Sequence, residues 1–351
     1  MAARTRIAVV GAGLIGRKHL SILKDDPAFE VVGVADPAPQ AETYARENGF
    51  AYFTDAEALL DKTKPDGAII AGPNVTHLSI ALACAARKIP AIVEKPVADT
   101  VADALKVVAA AREAKVPMLT GHHRRHNPIM QGARDFVASG ALGKLVAVNA
   151  SWLCRKPDDY FNVTWRREAG GGPVLINAIH DIDCLRMVAG DVETVQAQTA
   201  NATRGYPVED ACAAVLTFAN GALGTLILAD STATPWNWEA NGHDSAMVPN
   251  EIENCFTIAG TKGSLAIPQL QHWFYDRPGG SWTDPLTRHT LPIKHADPYP
   301  RQLHHFARVI RGEEAPIIDV AEGTRTLATT LAIAESAKTG RAVRVAELMR
   351  A

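Results

Sequence analysis

The residues with the clearest capacity for chemistry begin at Gly11-Ala12-Gly13-Leu14-Ile15-Gly16, a G-x-G-x-x-G run between the apolar stretch Ile7–Val10 and a helical pattern, Arg17–Leu23. Gly11 permits a tight turn, Gly13 lets backbone approach a pyrophosphate, and Gly16 lets helix and strand meet closely. The helix N-terminus, with Leu14 and Ile15 in its first turn, then faces the phosphates. A glycine turn without ligand is the plain alternative. Asp36 follows at the end of the second strand pattern, where a carboxylate can accept hydrogen bonds from adenosine ribose hydroxyls. It would repel a 2′-phosphate, and Pro37-Ala38-Pro39-Gln40 offers no cation to welcome one, so NAD is expected over NADP.

Lys95 lies between an apolar strand pattern and Pro96. At a strand's C-terminal end, partly desolvated beside a cationic nicotinamide, a lysine is suited to take a hydroxyl proton while hydride leaves the carbinol carbon. A solvated surface lysine is the alternative. Asn177, His180 and Asp183 recur every three residues, on one side of a helix, beside the apolar set Ile176, Ile179 and Ile182. Three polar residues in register on an otherwise apolar helix suggest a cleft, although a hydrogen-bonded structural histidine also fits. Two aromatic, polar loops, Arg155–Arg166 with Asn162 and Trp165, and Pro235–Trp238 with Trp236, have the composition of carbohydrate recognition segments. Their arginines could instead hold a carboxylate, and exposed loop decoration remains open for each residue.

These groups need elements to hold them. Short β-rich runs at Arg6–Val10, Val31–Ala35, Gly67–Ala71, Ala91–Glu94 and Pro117–Thr120 alternate with helical patterns such as Leu78–Arg87 and Val101–Ala114, which predicts βαβ units around a parallel sheet. After Pro128 the texture changes. Helices are expected at Ile129–Ser139 and Pro173–Val188, with strands at Leu145–Trp152, Thr194–Ala202, Ala211–Phe218, Leu223–Asp230, Glu253–Ala259 and Ser264–Ile267. Two helical patterns close the chain, Pro300–Arg311 and Val320–Lys338. The expectation is an α/β N-terminal Rossmann domain over 1–124 and an α+β domain over 125–351 with an open, mainly antiparallel or mixed sheet.

At 351 residues, with 47% hydrophobic and 21% charged side chains, the chain has ample material for two cores. A net charge of −2 gives no general field for nucleic acid or an anionic membrane, and no apolar run approaches membrane-spanning length. The start of the chain passes into a strand without the order of a signal peptide, so a cytoplasmic location is expected. The five cysteines are scattered and never paired as C-x-x-C, and no Cys/His cluster among the 12 histidines suggests metal.

Further motifs narrow the reading. Ala71-Gly72-Pro73-Asn74-Val75-Thr76-His77 precedes a helix, Glu94-Lys95-Pro96 ends a strand pattern, and Gly121-His122-His123-Arg124-Arg125 follows. Downstream come Gly170-Gly171-Gly172-Pro173 and His180-Asp181-Ile182-Asp183. This ordered set resembles the glucose–fructose oxidoreductase / inositol dehydrogenase / rhizopine-catabolism (Gfo/Idh/MocA) family over nearly the whole chain. The resemblance implies that Lys95 touches the reacting hydroxyl, that Glu94 helps hold the cofactor, and that Ala71, Pro73, Asn74 and His77 lie toward the nicotinamide half. It also implies a substrate-side histidine in His180, a polyol-binding carboxylate in Asp183, and an Arg124 that reaches toward substrate. His123 is placed on the cofactor side. One position departs: the inositol dehydrogenase pattern has aspartate four residues before the histidine, and this chain has Ile176. Asn177 could still face the cleft, but an amide cannot act as a base, which leaves Lys95 and His180 as the proton-transfer pair.

The expected function is thus NAD-dependent interconversion of alcohol and ketone on a sugar, cyclic polyol or sugar acid. A homodimer or homotetramer through the C-terminal sheet is expected, with no nucleic-acid or membrane partner. A redox-assisted glycosidase using the same residues, and a non-catalytic NAD-binding regulator, are the rivals.

Overall fold

The computed structural model describes residues 4–244 and 248–350. They form two compact units, each discontinuous in sequence: one runs up to His123 and adds Tyr299–Leu327, the other comprises Arg124–Pro298 and Ala328–Arg350.

The first unit contains six parallel strands, β1 (Thr5–Val10), β2 (Phe29–Ala35), β3 (Tyr52–Phe53), β4 (Gly67–Ile70), β5 (Ala91–Val93) and β6 (Met118–Thr120), in the order β3-β2-β1-β4-β5-β6. That order places the reversal of strand order between β1 and β4, where α/β sheets bind ligands at the carboxyl ends of their strands. The connecting helices are α1 (Leu14–Asp25), α2 (Pro39–Asn48), α3 (Ala56–Thr63), α4 (Asn74–Ala86) and α5 (Val101–Ala114). Side-chain caps mark two starts: Asp55 accepts from Ala58 N at 2.7 Å, and Thr100 from Asp103 N at 3.1 Å. Central strands β1, β4 and β5 are almost wholly buried, as expected for a parallel sheet covered on both faces.

A single cut at 124/125 does not describe these units. Leu303, Phe306, Ala307 and Val309 belong to the same buried cluster as Ile7, Val9, Leu20, Leu23 and Phe29. The helix Pro298–Ile310 presents them from a strongly amphipathic face, so its apolar stripe completes the core of the first unit.

In the second unit, helix α6 (Pro128–Ala138) precedes a nine-stranded sheet of β7 (Leu145–Leu153), β8 (Val192–Ala200), β9 (Ala211–Phe218), β10 (Leu223–Ala229), β11 (Phe256–Gly260), β12 (Gly263–Ile267), β13 (Gln271–Phe274), β14 (Thr287–Thr290) and β15 (Val343–Arg344). All neighbours pair antiparallel except β10 with β7. Along β9 and β10 buried and exposed residues alternate, so one face packs inward and the other, with Val215, Leu223 and Ile227, is open. The helix expected over Pro173–Val188 has two parts. Val174–Ala178 winds as a π-helix and α7 (Ile179–Ala189) continues it in α geometry. Glu209 accepts from Val174 N at 3.0 Å, satisfying an amide at its start. No helix among the described residues is long and apolar enough to cross a membrane.

Candidate active site

In the first unit a cleft of about 800 Å3 opens at the carboxyl ends of the strands. Gly11, Gly13, Leu14, Ile15, Asp36, Ala71, Pro73, Asn74, His77, Glu94 and Lys95, eleven of the expected cofactor residues, all line it. Gly11 has φ +98°, and a Cβ there would lie 2.5 Å from the Ala71 backbone; a Cβ on Gly16 would lie 2.0 Å from the Gly11 carbonyl oxygen. Gly16 therefore acts from behind the cleft, by letting α1 meet the turn. Gly13 is different, because a Cβ on it would meet nothing within 4 Å. It begins α1 with no side-chain cap, so the first-turn amides are left for a ligand.

Asp36 accepts from Ala12 N through Oδ2 at 2.7 Å and from Ala38 N through Oδ1 at 2.8 Å. These bonds fix the carboxylate at the mouth of the glycine turn while leaving lone pairs for further donors. Asp55 is a second acid in the same lining, beside Pro37, Ala38 and Thr54. Leu14 remains 75% exposed and supplies an apolar wall. An anion-ready helix start, an open Gly13, a held acceptor and an apolar wall fit a dinucleotide.

At the β5 end, Glu94 is buried, with Oε1 2.9 Å from His19 Nε2 and Oε2 accepting from Lys95 N at 3.3 Å. Burial alone would raise the Glu94 pKa, but His19 and Lys95 outweigh it and hold the carboxyl below its ordinary range. The Lys95–Pro96 peptide is cis. His77 is buried at the start of α4, its Nδ1 2.8 Å from the Pro96 carbonyl oxygen and its Nε2 3.1 Å from that of Gly72. It ties the two segments that flank Lys95. His123 does not line the cleft; its ring stacks on Tyr299 at 4.4 Å between centroids.

In the second unit a pocket of about 650 Å3 is lined by Trp152, Arg155, Lys156, Asn177, Glu239 and neighbouring residues. Asn177, expected to face substrate, does line it, and its Oδ1 accepts from Lys156 Nζ at 2.9 Å. Cys154 shares the pocket, and burial pushes its thiol up to about 12, which favours the protonated form.

Two expectations are corrected. Arg124 does not reach into that pocket: it is buried, with Nη1 2.7 Å from Asp181 Oδ1 and Nη2 2.7 Å from Glu239 Oε1. Asp183 is buried and clamped by Arg125, whose Nε and Nη2 donate to both of its oxygens at 2.8–3.1 Å. Asp183 is thereby committed to Arg125, and its cost of burial is met by the guanidinium. His180 is buried in the first turn of α7. Asn162 and Trp165 are exposed in the loop after β7, and Trp236 is half-exposed next to pocket residues Pro235 and Asn237; none of the three lines the pocket. The sequence reading missed Lys156 and Glu239. Lys156 lay in a segment it singled out and Glu239 one residue past another, yet a lysine beside Pro157 and a glutamate beside Trp238 carry no local mark of a pocket.

Comparison with known proteins matches both halves of the chain. Residues 5–122 match the family model described as "Oxidoreductase family, NAD-binding Rossmann fold", and residues 134–345 match "Oxidoreductase family, C-terminal alpha/beta domain". The 1,5-anhydro-D-fructose reductase of Ensifer adhaerens is 29% identical over 97% of this chain and 98% of its own length. The rhizopine catabolism protein MocA of Rhizobium meliloti is 30% identical over 64% of this chain and 71% of its own. Among solved structures, the WlbA dehydrogenase of Chromobacterium violaceum, in complex with NADH and UDP-GlcNAcA, is 26% identical with a TM-score of 0.80, covering 98% of this chain and 97% of that one.

Proposed function

This chain belongs to the Gfo/Idh/MocA oxidoreductase family, and from that premise we propose that it uses NAD to interconvert an alcohol and a ketone on a sugar, cyclic polyol or sugar acid. One observation carries the reading: the glycine turn, Asp36 and Lys95 line a single cleft of about 800 Å3 at the carboxyl ends of the parallel strands. The carbohydrate class is supported by the relatives, one named for anhydrofructose reduction and one bound to a nucleotide sugar acid.

The bound nicotinamide ring supplies the acceptor or donor of hydride. The backbone of Gly11–Ile15 binds the phosphates, Asp36 accepts from the ribose hydroxyls, and the acid pair Asp36 and Asp55 disfavours a 2′-phosphate. Lys95 Nζ takes the hydroxyl proton in oxidation and returns it in reduction. Glu94, kept ionised by His19, steadies the backbone of Lys95. Asn177 presents its amide to the substrate. In assembly, the open sheet face containing Val215, Leu223 and Ile227 is assigned to a second copy of the chain.

The test is a panel of sugars, polyols and sugar acids with NAD and NADP, followed by reduced-nicotinamide absorbance and repeated with Lys95→Met. That variant keeps most of the side chain's length and removes its exchangeable proton. It is expected to lower kcat by about 10²–10⁴ while NAD affinity is nearly unchanged. Near-wild-type turnover by Lys95→Met would remove the mechanism.

A further inference from the structure

We propose that the pocket around Lys156 receives the carboxylate of a sugar acid, and that Lys156 selects acidic over neutral carbohydrate substrates. For the reaction that follows binding, this rests on the oxidoreductase reading above.

Lys156 stands just past β7 on backbone held at two strand ends. Its N–H donates to the Asp230 carbonyl oxygen at 2.9 Å, and Arg155 bridges Ser231. The residue is only 9% exposed, and its Nζ lies 5.4 and 4.9 Å from the ring centroids of Trp152 and Tyr160. An ammonium has three N–H donors. One goes to Asn177 Oδ1 at 2.9 Å, while the nearest carboxylate oxygen, Asp230 Oδ2, lies at 3.4 Å. That ion pair is at the long end of hydrogen-bond distance, and Asp230 divides its charge, since its other oxygen, Oδ1, accepts from Arg204 Nε at 2.9 Å. Burial holds the Lys156 pKa below the usual amine range, although Asp230, Cys154 and Glu239 all act to raise it.

Three other polar side chains of the pocket wall, Thr234, Asn237 and Glu239, are committed elsewhere. Asn177 uses its oxygen on Lys156, so its Nδ2 is the atom left for a ligand. Glu239 has Oε1 on Arg124 and Oε2 on Trp152 Nε1, both at 2.7 Å. Asn237 donates to the Leu153 carbonyl oxygen at 3.0 Å and accepts from Ala240 N at 2.9 Å. Thr234 donates to that same carbonyl oxygen at 2.9 Å. The wall nearest Lys156 therefore offers donors, an ammonium and an amide, and calls for an acceptor. An anionic oxygen is the strongest acceptor for a desolvated ammonium. A monoanionic carboxylate fits better than a phosphate dianion, because Glu239 and Glu251 line the same pocket.

The experiment uses the full chain with NAD, as wild type, Lys156→Met and Lys156→Arg. Matched pairs are D-glucuronate with D-glucose and D-galactonate with galactitol, read by ligand-induced Tm shift and by reduced-nicotinamide absorbance. The acids should bind wild type at least tenfold more tightly than their neutral partners, a difference of about 1.4 kcal/mol. Lys156→Met should abolish that ratio and Lys156→Arg should restore part of it. Neutral partners that bind as well as the acids, an acid set that gives no Tm shift, or a Lys156→Met variant that weakens both members of each pair alike would each overturn the proposal. Acid-dependent Tm shifts without nicotinamide reduction on any compound would leave the acid site standing and defeat the oxidoreductase reading. Turnover confined to neutral compounds would do the reverse.

Discussion

Gly13→Ala separates cofactor binding from folding. The backbone of Gly13, at φ −72° and ψ −165°, is one that alanine adopts, and the added Cβ meets nothing within 4 Å. Replacing glycine where the backbone is compatible stabilises by about 0.4–1 kcal/mol through the unfolded chain. Gly13 is also the N-cap of α1, where alanine is poorer than glycine by roughly 0.5–1 kcal/mol. The two effects nearly cancel, and Tm should move by no more than about 2 °C. The new methyl projects into the space a pyrophosphate would occupy beside the α1 amides. NAD affinity should fall by roughly 10–100-fold, which corresponds to about 1.4–2.8 kcal/mol. Gly16→Ala is the contrast, because its Cβ would sit 2.0 Å from the Gly11 carbonyl oxygen, and it should lose stability and binding together. Calorimetric Tm and NAD titration by fluorescence on both variants make the comparison. A Gly13→Ala protein that binds NAD like wild type would show that the turn does not hold the phosphates.

Two further substitutions test the ends of the site. Asp36→Ser removes a carboxylate that accepts from Ala12 N and Ala38 N, and should weaken NAD by about 1.5–3 kcal/mol while shifting preference toward NADP at least tenfold; a wild type that already prefers NADP refutes the assignment. Asn177→Ala should depress kcat/KM, whereas Ile176→Ala, at a half-buried site, should chiefly reduce stability, by about 1–2 kcal/mol; kinetics and denaturant unfolding of both decide, and the reverse pattern would mean that the active face of this helix is misassigned.

What the sequence made legible follows from the range of the interactions involved. The glycine turn, Asp36 and the residues flanking Lys95 are local motifs at strand ends, and all three reach one cleft because strand, turn and helix are consecutive in the chain. The strands expected from β-rich runs are present, but β3 and β15, of two residues each, and β13 and β14, of four each, escaped notice. Such short strands have too few alternations to mark them. The three-residue spacing of Asn177, His180 and Asp183 identified a special helix without distinguishing a pocket amide from a buried carboxylate. Arg125 decides that for Asp183 from 58 positions away. The π-helical turn before α7, which spans both Ile176 and Asn177, was equally invisible, because side-chain periodicity does not report one extra residue per turn. Lys156 was missed for the same kind of reason: Asn177 and Asp230, which define its surroundings, are distant in sequence.

The completion of the first unit by Tyr299–Leu327 has a consequence for how the protein is made. On a ribosome, the residues through His123 emerge with their sheet strands in hand but without Leu303 and Phe306, which finish the cluster around Ile7, Leu20 and Phe29. Those side chains arrive only after the intervening chain, Arg124–Pro298, has been synthesised. At about 5–20 residues per second that interval lasts roughly 10–35 s. During it the nascent Rossmann layer exposes an apolar surface that nothing nearby in sequence can cover. The amino-terminal segment is therefore translated first but closes late, after every strand of the second sheet except β15 has been available to pair.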